Sequence, residues 1–500
     1  MDADRLDQLL LAGSAVLLLA ILAVRASARV GLPSLLIYLA MGIVLGESVL
    51  GVEFDDAKTA HALGFAALVV ILTEGGLTTK WAEVRPSLKL GVALATIGVG
   101  ISVGVVAVVA HFVLGLSWEL AVLLGAITSP TDAAAVFSVL RKVPLRPKLL
   151  GALEAESGLN DAPTVLLVVL LSTSHGLDDG IGGFVGLVVY ELVAGVGLGA
   201  VVGISGAWLL RRVALPASGL YPIAVMAIAA FSYAGTAAVH ASGFAAVYIT
   251  ALWLGNSELP HRSVTRSFAE GLAWLAQIGL FIMLGLLASP NSFDVESIVG
   301  GIVVGAALTF LARPLSVLVC SVPLRIPWRE QGFLAVAGLR GAVPIVLASI
   351  PLAERVDRAE GLFNLVFVLV VVLTVLTAPM LPKLATALGV TVERAREVEV
   401  EAAPLERIAA DLLQVKITDE SRLQGVEIGE LRLPPGTSVS LIVRDNSSFT
   451  PERRTSLKRG DDLLIVTPRA DRDAIEKRLQ TVSKGGRLAT WVDDSSDSSR

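Results

Sequence analysis

Four ionisable side chains lie well inside long apolar runs of the sequence: Asp132, Glu156, Asp161 and Arg340. At the centre of a membrane span each costs roughly 2.5–3.5 kcal/mol on insertion scales, so such residues are kept there when they bind, move or pair with something. A carboxylate binds either a proton or, through its oxygens, a hard cation. Competition between the two for one carboxylate is the simplest physical basis for exchange.

The segment EAESGLNDAPTVLL arranges polar side chains on two neighbouring faces of a predicted helix. Residues four apart are neighbours on a helix, so Ser157 and Asp161 share one face and present a hydroxyl and a carboxylate to an ion. Glu156 and Asn160 share the next face, where Arg340 could bridge their side chains. The oxygen ligands predicted for a monovalent cation come from Asp132, Ser157, Asp161 and a backbone carbonyl near Thr131.

The charges of this group do not balance. Three carboxylates against one guanidinium leave it two positive charges short. If Glu156 pairs with Arg340, then Asp132 and Asp161 remain, and two close carboxylates do not both ionise cheaply. A bound proton or cation relieves that strain. Arg313 is expected to snorkel from the end of its span. Structural roles are favoured for the other acidic residues within the spans, Glu74, Glu154, Glu191 and Glu270.

Two of the charged residues lie in segments that break a helix. Asp132 lies in GAITSPTDAAAV, where Pro130 removes a helix donor, and Arg340 lies in AVAGLRGAVPIV, which two glycines and a proline interrupt. A broken helix turns bare backbone carbonyls toward an ion at mid-membrane. The two spans run in opposite directions on the predicted map, which favours an inverted repeat with its site at the midplane.

Composition indicates that the bilayer surrounds most of the chain. The 500 residues are 54% hydrophobic and 17% charged, with a mean hydropathy of +0.73, more apolar surface than a soluble protein can bury. We predict an all-α polytopic membrane protein of about thirteen transmembrane helices, with a small α+β domain. The predicted spans are 8–25, 31–50, 60–77, 88–114, 119–140, 149–172, 181–211, 220–238, 242–255, 268–288, 296–320, 331–351 and 360–388.

Loop charges predict the orientation. One set of alternate loops is rich in basic residues, as at Arg141, Lys142, Arg146 and Lys148, whereas the opposite set contains few. The positive-inside rule then places the N-terminus outside an inner membrane and the C-terminal domain in the cytoplasm. The net charge of −5 does not suggest nucleic-acid binding, and the histidines are not spaced as metal ligands. No nucleophile and base are arranged as in an enzyme.

The chain changes character after the last span. We predict a transmembrane domain at 1–389, a linker with a helical end at 390–407, a cytoplasmic domain at 408–485 and a disordered tail at 486–500. In the cytoplasmic domain, LLQVKI, SVSLIVRD and DDLLIVTP read as strands, and ADRDAIEKRLQTV has helical periodicity.

Three motifs together, TSPTDAAAVFSVLR, ESGLND and GLRGAVPIVLA, resemble the monovalent cation/proton antiporter family, in its sodium/proton-exchanger-like, potassium/proton branch. The resemblance implies a thirteen-span inverted repeat with two crossed, unwound helices, a homodimer and an elevator-like movement. It makes Asp161 the essential ion- and proton-binding carboxylate. The further ligands it implies are Thr131, Asp132 and Ser157, and its supporting polar cluster is Glu156, Asn160 and Arg340. Asn160 before Asp161 implies electroneutral exchange, whereas Ala133 departs from the proline of many relatives.

The tail segment LLQVKITDESRLQGVEIGELRLPPGTSVSLIVRD resembles a TrkA-C type regulatory domain, as does FTPERRTSLKRGDDLLIVTP after it. In that family the domain pairs as a dimer, and some members bind a cyclic dinucleotide. Such domains usually serve potassium systems. The predicted function is therefore exchange of a monovalent cation for H⁺ by alternating access, with K⁺ favoured over Na⁺ and no cofactor. The alternatives are a ligand-gated cation channel and a membrane-anchored sensor.

Overall fold

The structure, a computed structural model, describes residues 3–30, 33–47, 50–52, 54, 56–140, 143, 145–173, 180–288, 293–392, 399–405, 410–418, 421–445 and 447–485. The chain divides into two compact units, Met1–Thr391 and Val392–Arg500. Each unit has its own hydrophobic core. The predicted disordered tail, 486–500, lies outside the described residues.

The first unit is helical in all of its described regular structure. Its helices are α1 Ala3–Val30, α2 Ser34–Leu45, α3 Ala57–Thr78, α4 Trp81–Val84, α5 Leu88–Ala93, α6 Val99–Leu114, α7 Trp118–Thr128, α8 Ala133–Leu140, α9 Pro147–Ser172, α10 Gly180–Arg212, α11 Leu220–Ala237, α12 Gly243–Gly255, α13 Arg262–Leu287, α14 Val295–Ala307, α15 Arg313–Ser321, α16 Trp328–Val336, α17 Ala342–Ala353, α18 Ala359–Thr377 and α19 Leu381–Ala387.

Helix length and composition fit a membrane protein. Seven helical stretches among the described residues are long and apolar enough to cross a bilayer: Lys58–Thr78, Trp81–Leu114, Gly182–Arg212, Leu220–Ala237, Arg262–Leu287, Val295–Ser321 and Ala359–Ala387. Large apolar side chains such as Phe112 and Phe231 are exposed on the outside of the bundle, as expected where hydrocarbon is the solvent. The count of thirteen spans stays a prediction.

The two predicted helix breaks are present and touch each other. One break separates α7 from α8 at 129–132, and the other separates α16 from α17 at 337–341. The backbone N–H of Asp132 donates to the carbonyl of Leu339 at 2.8 Å. The first half of one broken helix, α7, packs against the second half of the other, α17. Beyond α8, Arg146 forms an ion pair with Glu330 of α16. The two broken helices therefore run in opposite directions.

A second irregularity accompanies each broken helix. A π-helical turn at Leu94–Gly98 joins α5 to α6, and another at Leu308–Ala312 joins α14 to α15. Each is followed along the chain by a broken helix and then by a long helix, α9 or α18. The two π-containing helices contact each other, since the Ser316 hydroxyl donates to the Gly98 carbonyl at 2.9 Å. The order of elements thus occurs twice.

The second unit contains an antiparallel sheet with one helix. Its strands are β1 Glu399–Leu405, β2 Ala410–Lys416, β3 Ser438–Arg444, β4 Ser447–Phe449 and β5 Asp462–Pro468, in the order β1-β2-β5-β3-β4, and its helix is α20 Arg472–Gly485. Alternate residues of β5, Leu463 and Ile465, are buried with Ile475 and Leu479 of α20. This alternation is what a strand with one covered face requires.

One sequence interpretation is wrong in this unit. The segment 390–407, predicted as a linker with a helical end, contains β1, which pairs with β2 from Glu399↔Lys416 to Leu405↔Ala410. The cause is visible in VEVEAAPL, whose first four residues alternate apolar and charged with the period of a strand. High charge does not exclude a strand here, because β1 is an edge strand and an edge strand tolerates charged side chains.

Candidate ion-binding site

Helix α9 carries most of the predicted site and passes beside both breaks. Pro147 occupies its first turn, where a missing N–H has no cost. Pro163 lies inside the helix and cannot donate to the carbonyl of Leu159, one turn earlier. Between these prolines lie the predicted residues, with Glu156, Asn160 and Asp161 all buried. The helix therefore runs unbroken but lacks one backbone hydrogen bond beside its buried carboxylates.

Glu156 forms a buried ion pair, and its partner is Arg313. Nη2 of Arg313 donates to Oε2 of Glu156 at 2.8 Å, Nη1 donates to Oε1, and Nε donates to the carbonyl of Leu334 at 3.1 Å. Arg313 is only 4% exposed. The expectation that Arg313 snorkels to the interface is wrong, and so is the pairing of Glu156 with Arg340. Fork-to-fork geometry of this kind is the strong form of a guanidinium–carboxylate contact.

Arg340 lies among backbone carbonyls. Its Nε donates to the carbonyl of Thr128 at 3.3 Å, at the end of α7, and its Nη1 donates to the carbonyl of Gly338 in the other break. Its buried Nη2 has no hydrogen-bond partner among the described residues. The C-terminal end of a helix carries partial negative charge on its free carbonyls. Arg340 thus stabilises the interrupted backbone that both breaks expose.

Thr131 links the two polar residues of α9 that share a face. Its hydroxyl accepts from Nδ2 of Asn160 at 2.9 Å and donates to Oε1 of Glu156 at 3.2 Å. A hydroxyl has one donor and two acceptor lone pairs, so one lone pair of Thr131 remains. The predicted supporting residues Glu156 and Asn160 are therefore joined through Thr131, with Arg313 as the fourth member of this cluster.

Asp132 begins the second half of its broken helix. Its Oδ1 accepts from the backbone N–H of Ala135 at 3.1 Å, which is the bonding pattern of a helix N-cap. The positive end of the α8 dipole favours a negative charge at this position. Asp132 is only partly buried, and it interacts electrostatically with Asp161. The structure therefore brings together the two carboxylates that the sequence left without a partner.

Asp161 differs from Glu156 and Asp132 because one of its buried oxygens accepts no hydrogen bond from the described residues. It is 8% exposed, and its buried Oδ1 has no hydrogen-bond partner among the described residues. Ser157, one turn earlier on α9, is partly buried. Oδ1 of Asn160 is a second buried oxygen without a hydrogen-bond partner among the described residues. Buried polar atoms are nearly always satisfied, so each exception needs an explanation.

Two glycines make room for charged side chains at this crossing. A Cβ on Gly338 would lie 2.6 Å from Nε of Arg313, and a Cβ on Gly341 would lie 1.7 Å from Oδ2 of Asp132. The glycines of GLRG thus do more than interrupt a helix, because each leaves empty the space that a charged side chain occupies. In the described part of the chain, no three His, Cys, Asp or Glu side chains converge as a metal site would require.

Fold and site together define a multi-span membrane transporter whose buried charges gather where two antiparallel broken helices meet. The sodium/hydrogen exchanger transmembrane family matches residues 14–385, and the TrkA-C domain matches residues 412–480. The chain belongs to the sodium/hydrogen exchanger family, with a TrkA-C domain after its membrane unit. This is a family of transporters and not of enzymes.

Curated relatives agree with this assignment, and a solved structure agrees with the fold. The chain is 33% identical to the K(+)/H(+) antiporter NhaP2 of Shewanella oneidensis, over 99% of this chain and 87% of the relative. It is 32% identical to the K(+)/H(+) antiporter NhaP of Alkalimonas amylolytica, over 91% and 80%. The sodium proton antiporter MjNhaP1 of Methanocaldococcus jannaschii superposes with a TM-score of 0.65 at 22% identity, covering 77% of this chain and 99% of that structure. That superposition supports the fold.

Proposed function

We propose that the protein exchanges a monovalent cation for protons, with Asp161 binding cation and proton in turn. The observation that carries this proposal is the unsatisfied oxygen of Asp161 in a buried site. Glu156 is already bonded to Arg313, and Asp132 is held at a helix N-terminus. Asp161 is therefore the carboxylate left to bind an ion, with Asp132, Ser157 and Thr131 as neighbouring oxygen ligands. A proton or a desolvated cation satisfies the same oxygen, so the two compete.

The charge balance supports one-for-one exchange. With Arg313 included, the crossing contains three carboxylates, Asp132, Glu156 and Asp161, and two guanidiniums. The group is therefore one positive charge short, not two. One K⁺, one Na⁺ or one proton restores neutrality, and a site that alternates between a cation and a proton moves no net charge. Asn160, which the resemblance associates with electroneutral exchange, fits the same stoichiometry.

We favour K⁺ over Na⁺ as the exchanged cation. Two relatives that the chain matches over most of their length are named K(+)/H(+) antiporters. The TrkA-C domain is a second reason, since such domains usually serve potassium systems. A cyclic dinucleotide effector of that domain stays a proposal.

The wider architecture is proposed on the same basis. We retain thirteen spans in an inverted repeat, an elevator-like movement and a homodimer, in an inner membrane with the N-terminus outside and the C-terminal domain in the cytoplasm. The repeated order of π turn, broken helix and long helix supports the repeat. The proposed boundaries remain 1–389 for the membrane domain, 408–485 for the regulatory domain and 486–500 for the tail, with β1 now placed inside the former linker 390–407.

Proton flux in liposomes tests the proposal. Purified full-length protein is reconstituted with a pH-sensitive dye, and pulses of K⁺, Na⁺ and choline are applied with and without a clamped membrane potential. We expect K⁺ to move protons, choline to move none, and flux to be insensitive to the potential. Asp161→Asn is expected to abolish exchange, whereas Asp7→Asn, at an exposed position of α1, serves as the matched control.

Two results would contradict the proposal. If no cation moves protons in the wild type, the antiport function fails. If Asp161→Asn exchanges as fast as Asp7→Asn, then the ion binds elsewhere.

A further inference from the structure

One face of α9 holds a second carboxylate that the site does not use. Gly151, Glu154, Gly158 and Asp161 follow one another at spacings of three and four residues, so they form one stripe along the helix. The stripe alternates between a glycine and a carboxylate. Glu154 lies two turns from Asp161, toward the N-terminal end of α9, and is partly buried.

Each glycine of the stripe is covered by a neighbouring group. A Cβ on Gly151 would lie 2.7 Å from the backbone carbonyl oxygen of Glu83, and a Cβ on Gly158 would lie 2.3 Å from the hydroxyl of Tyr248. No side chain other than hydrogen allows these approaches. The hydroxyl of Tyr248 therefore rests on α9 at the level between Glu154 and Asp161.

Tyr248 belongs to α12 and is 5% exposed. Its side chain interacts electrostatically with both Glu154 and Asp161. The phenol thus separates the two carboxylates of the stripe. Its ring and hydroxyl occupy the space over Gly158, between the two carboxylates.

Glu154 in turn leads to the surface. It interacts electrostatically with Glu83 and Lys80, which form an ion pair of 2.9 Å with side chains 56% and 59% exposed. Polar side chains therefore succeed one another from exposed Lys80 and Glu83, through Glu154 and Tyr248, to the buried Asp161. Such a series of polar side chains, from the surface to a buried carboxylate, allows an ion to lose its hydration water in several steps.

We propose that Glu154 is a relay carboxylate for ions that reach Asp161 from the Lys80–Glu83 side, and that Tyr248 is the gate between the two. The inference rests on the proposed exchange at Asp161. A cation arriving from this side is attracted by Glu154 before it loses its last water, and a proton leaving Asp161 finds the Glu154 carboxylate as its next acceptor. Tyr248 must move away from Gly158 for either transfer, and its return isolates Asp161 from this side.

Sidedness is the property that separates a relay from a structural role. Flux is measured in uniformly oriented membrane vesicles, with the cation supplied to one face and then to the other. Glu154→Gln is expected to raise KM about fivefold for the cation supplied on the Lys80–Glu83 side and to leave KM for the opposite side unchanged. Glu154→Asp should recover most of the loss. Glu258→Gln, at an exposed loop position, is the matched control.

The outcomes distinguish this inference from the proposed function. If the wild type exchanges cations and Glu154→Gln changes KM equally for both faces of the membrane, or for neither, the relay is refuted while antiport stands. If the wild type does not exchange at all, the proposed function has failed first.

Thiol labelling tests the gate without measuring transport. The chain has one cysteine, Cys320, so Cys320→Ser gives a background for single cysteines. In that background, Tyr248→Ala is expected to increase the reaction rate of Asp161→Cys about tenfold with an impermeant thiol reagent on the Lys80–Glu83 side. The rate of Glu154→Cys, outside the gate, should not change. Equal rates for Asp161→Cys with and without Tyr248 would refute the gate.

Discussion

At the scale of single residues, the site depends on space as much as on charge. Gly341 leaves the volume that the Asp132 carboxylate occupies, and Gly338 leaves the volume for the Arg313 guanidinium. Both glycines were identified from the sequence as helix breakers, which describes only their backbone role. Their steric role could not be predicted, since it depends on which side chains of distant helices meet them.

Gly341→Ala tests this steric role. The new Cβ would displace Oδ2 of Asp132, and displacement of a ligand by about 1 Å can cost a site a large part of its affinity or rate. We expect KM for the cation to rise about tenfold while the protein still folds. Gly332→Ala is the control, because its Cβ would lie 3.6 Å from the nearest atom, in ordinary contact. Equal KM values for the two variants would contradict this account.

Arg313→Gln tests the ion pair that the sequence assigned to the wrong arginine. Removal of one partner leaves Glu156 buried and uncompensated, which costs about 3–5 kcal/mol in proteins. We expect a clearly lower thermal midpoint in detergent, with partial recovery in the double variant Glu156→Gln/Arg313→Gln. Glu156→Gln should not rescue Arg340→Gln, since Arg340 bonds to carbonyls. If Glu156→Gln does rescue Arg340→Gln, then Glu156 pairs with Arg340, as the sequence predicts.

At the scale of elements, the sequence located the two broken helices because proline and glycine have fixed backbone consequences. The π turns at Leu94–Gly98 and Leu308–Ala312 carry no such marker. A π turn shifts the register of the residues that follow it, and Arg313 comes directly after the second one. The face on which Arg313 lies was therefore not predictable from a regular helical period, and its buried pairing was missed.

Three elements of the first unit are joined at Arg146, immediately before α9. Its Nη1 contacts Oε1 of Glu330 in α16 at 3.1 Å, its Nη2 donates to the carbonyl of Gly389 at 3.1 Å, and its backbone N–H donates to the carbonyl of Val390. Leu145 forms an isolated antiparallel bridge with Thr391. The helix that carries Asp161 is thus fastened at its start to the last residues of the membrane unit.

Arg146→Ala should loosen this junction. The largely buried Glu330 would lose its ion-pair partner, at a cost of about 1–3 kcal/mol. We expect faster amide hydrogen exchange in 385–391 and in the first turn of α9, measured on the full chain by mass spectrometry. Arg211→Ala, at an exposed position of α10, should leave both segments unchanged. Unchanged amide hydrogen exchange in Arg146→Ala would show that the backbone hydrogen bonds hold the junction without the Arg146 side chain.

At the scale of the whole molecule, the two units have separate hydrophobic cores, and the second unit has its own buried ion pair. Asp461 is fully buried, and both of its oxygens accept from Arg444 at 2.7 Å. Hydrogen bonding and the charge of Asp461 raise the pKa of Arg444 above its ordinary value. A raised guanidinium pKa means that this contribution to stability is present throughout the neutral range and is lost only at very high pH.

Asp461→Ala tests whether the cores are energetically separate. The change leaves Arg444 without its carboxylate and removes the acceptor for the Lys458 backbone N–H, so we expect a loss of about 2 kcal/mol in the free energy of unfolding of the second unit. Hydrogen exchange on the full chain should accelerate in β3 and β5 and remain unchanged in α9. Ser447→Ala, at an exposed position of β4, is the control. Loss of protection in α9 as well would mean that the two units unfold together, so that damage in the TrkA-C domain reaches the helix that carries Asp161.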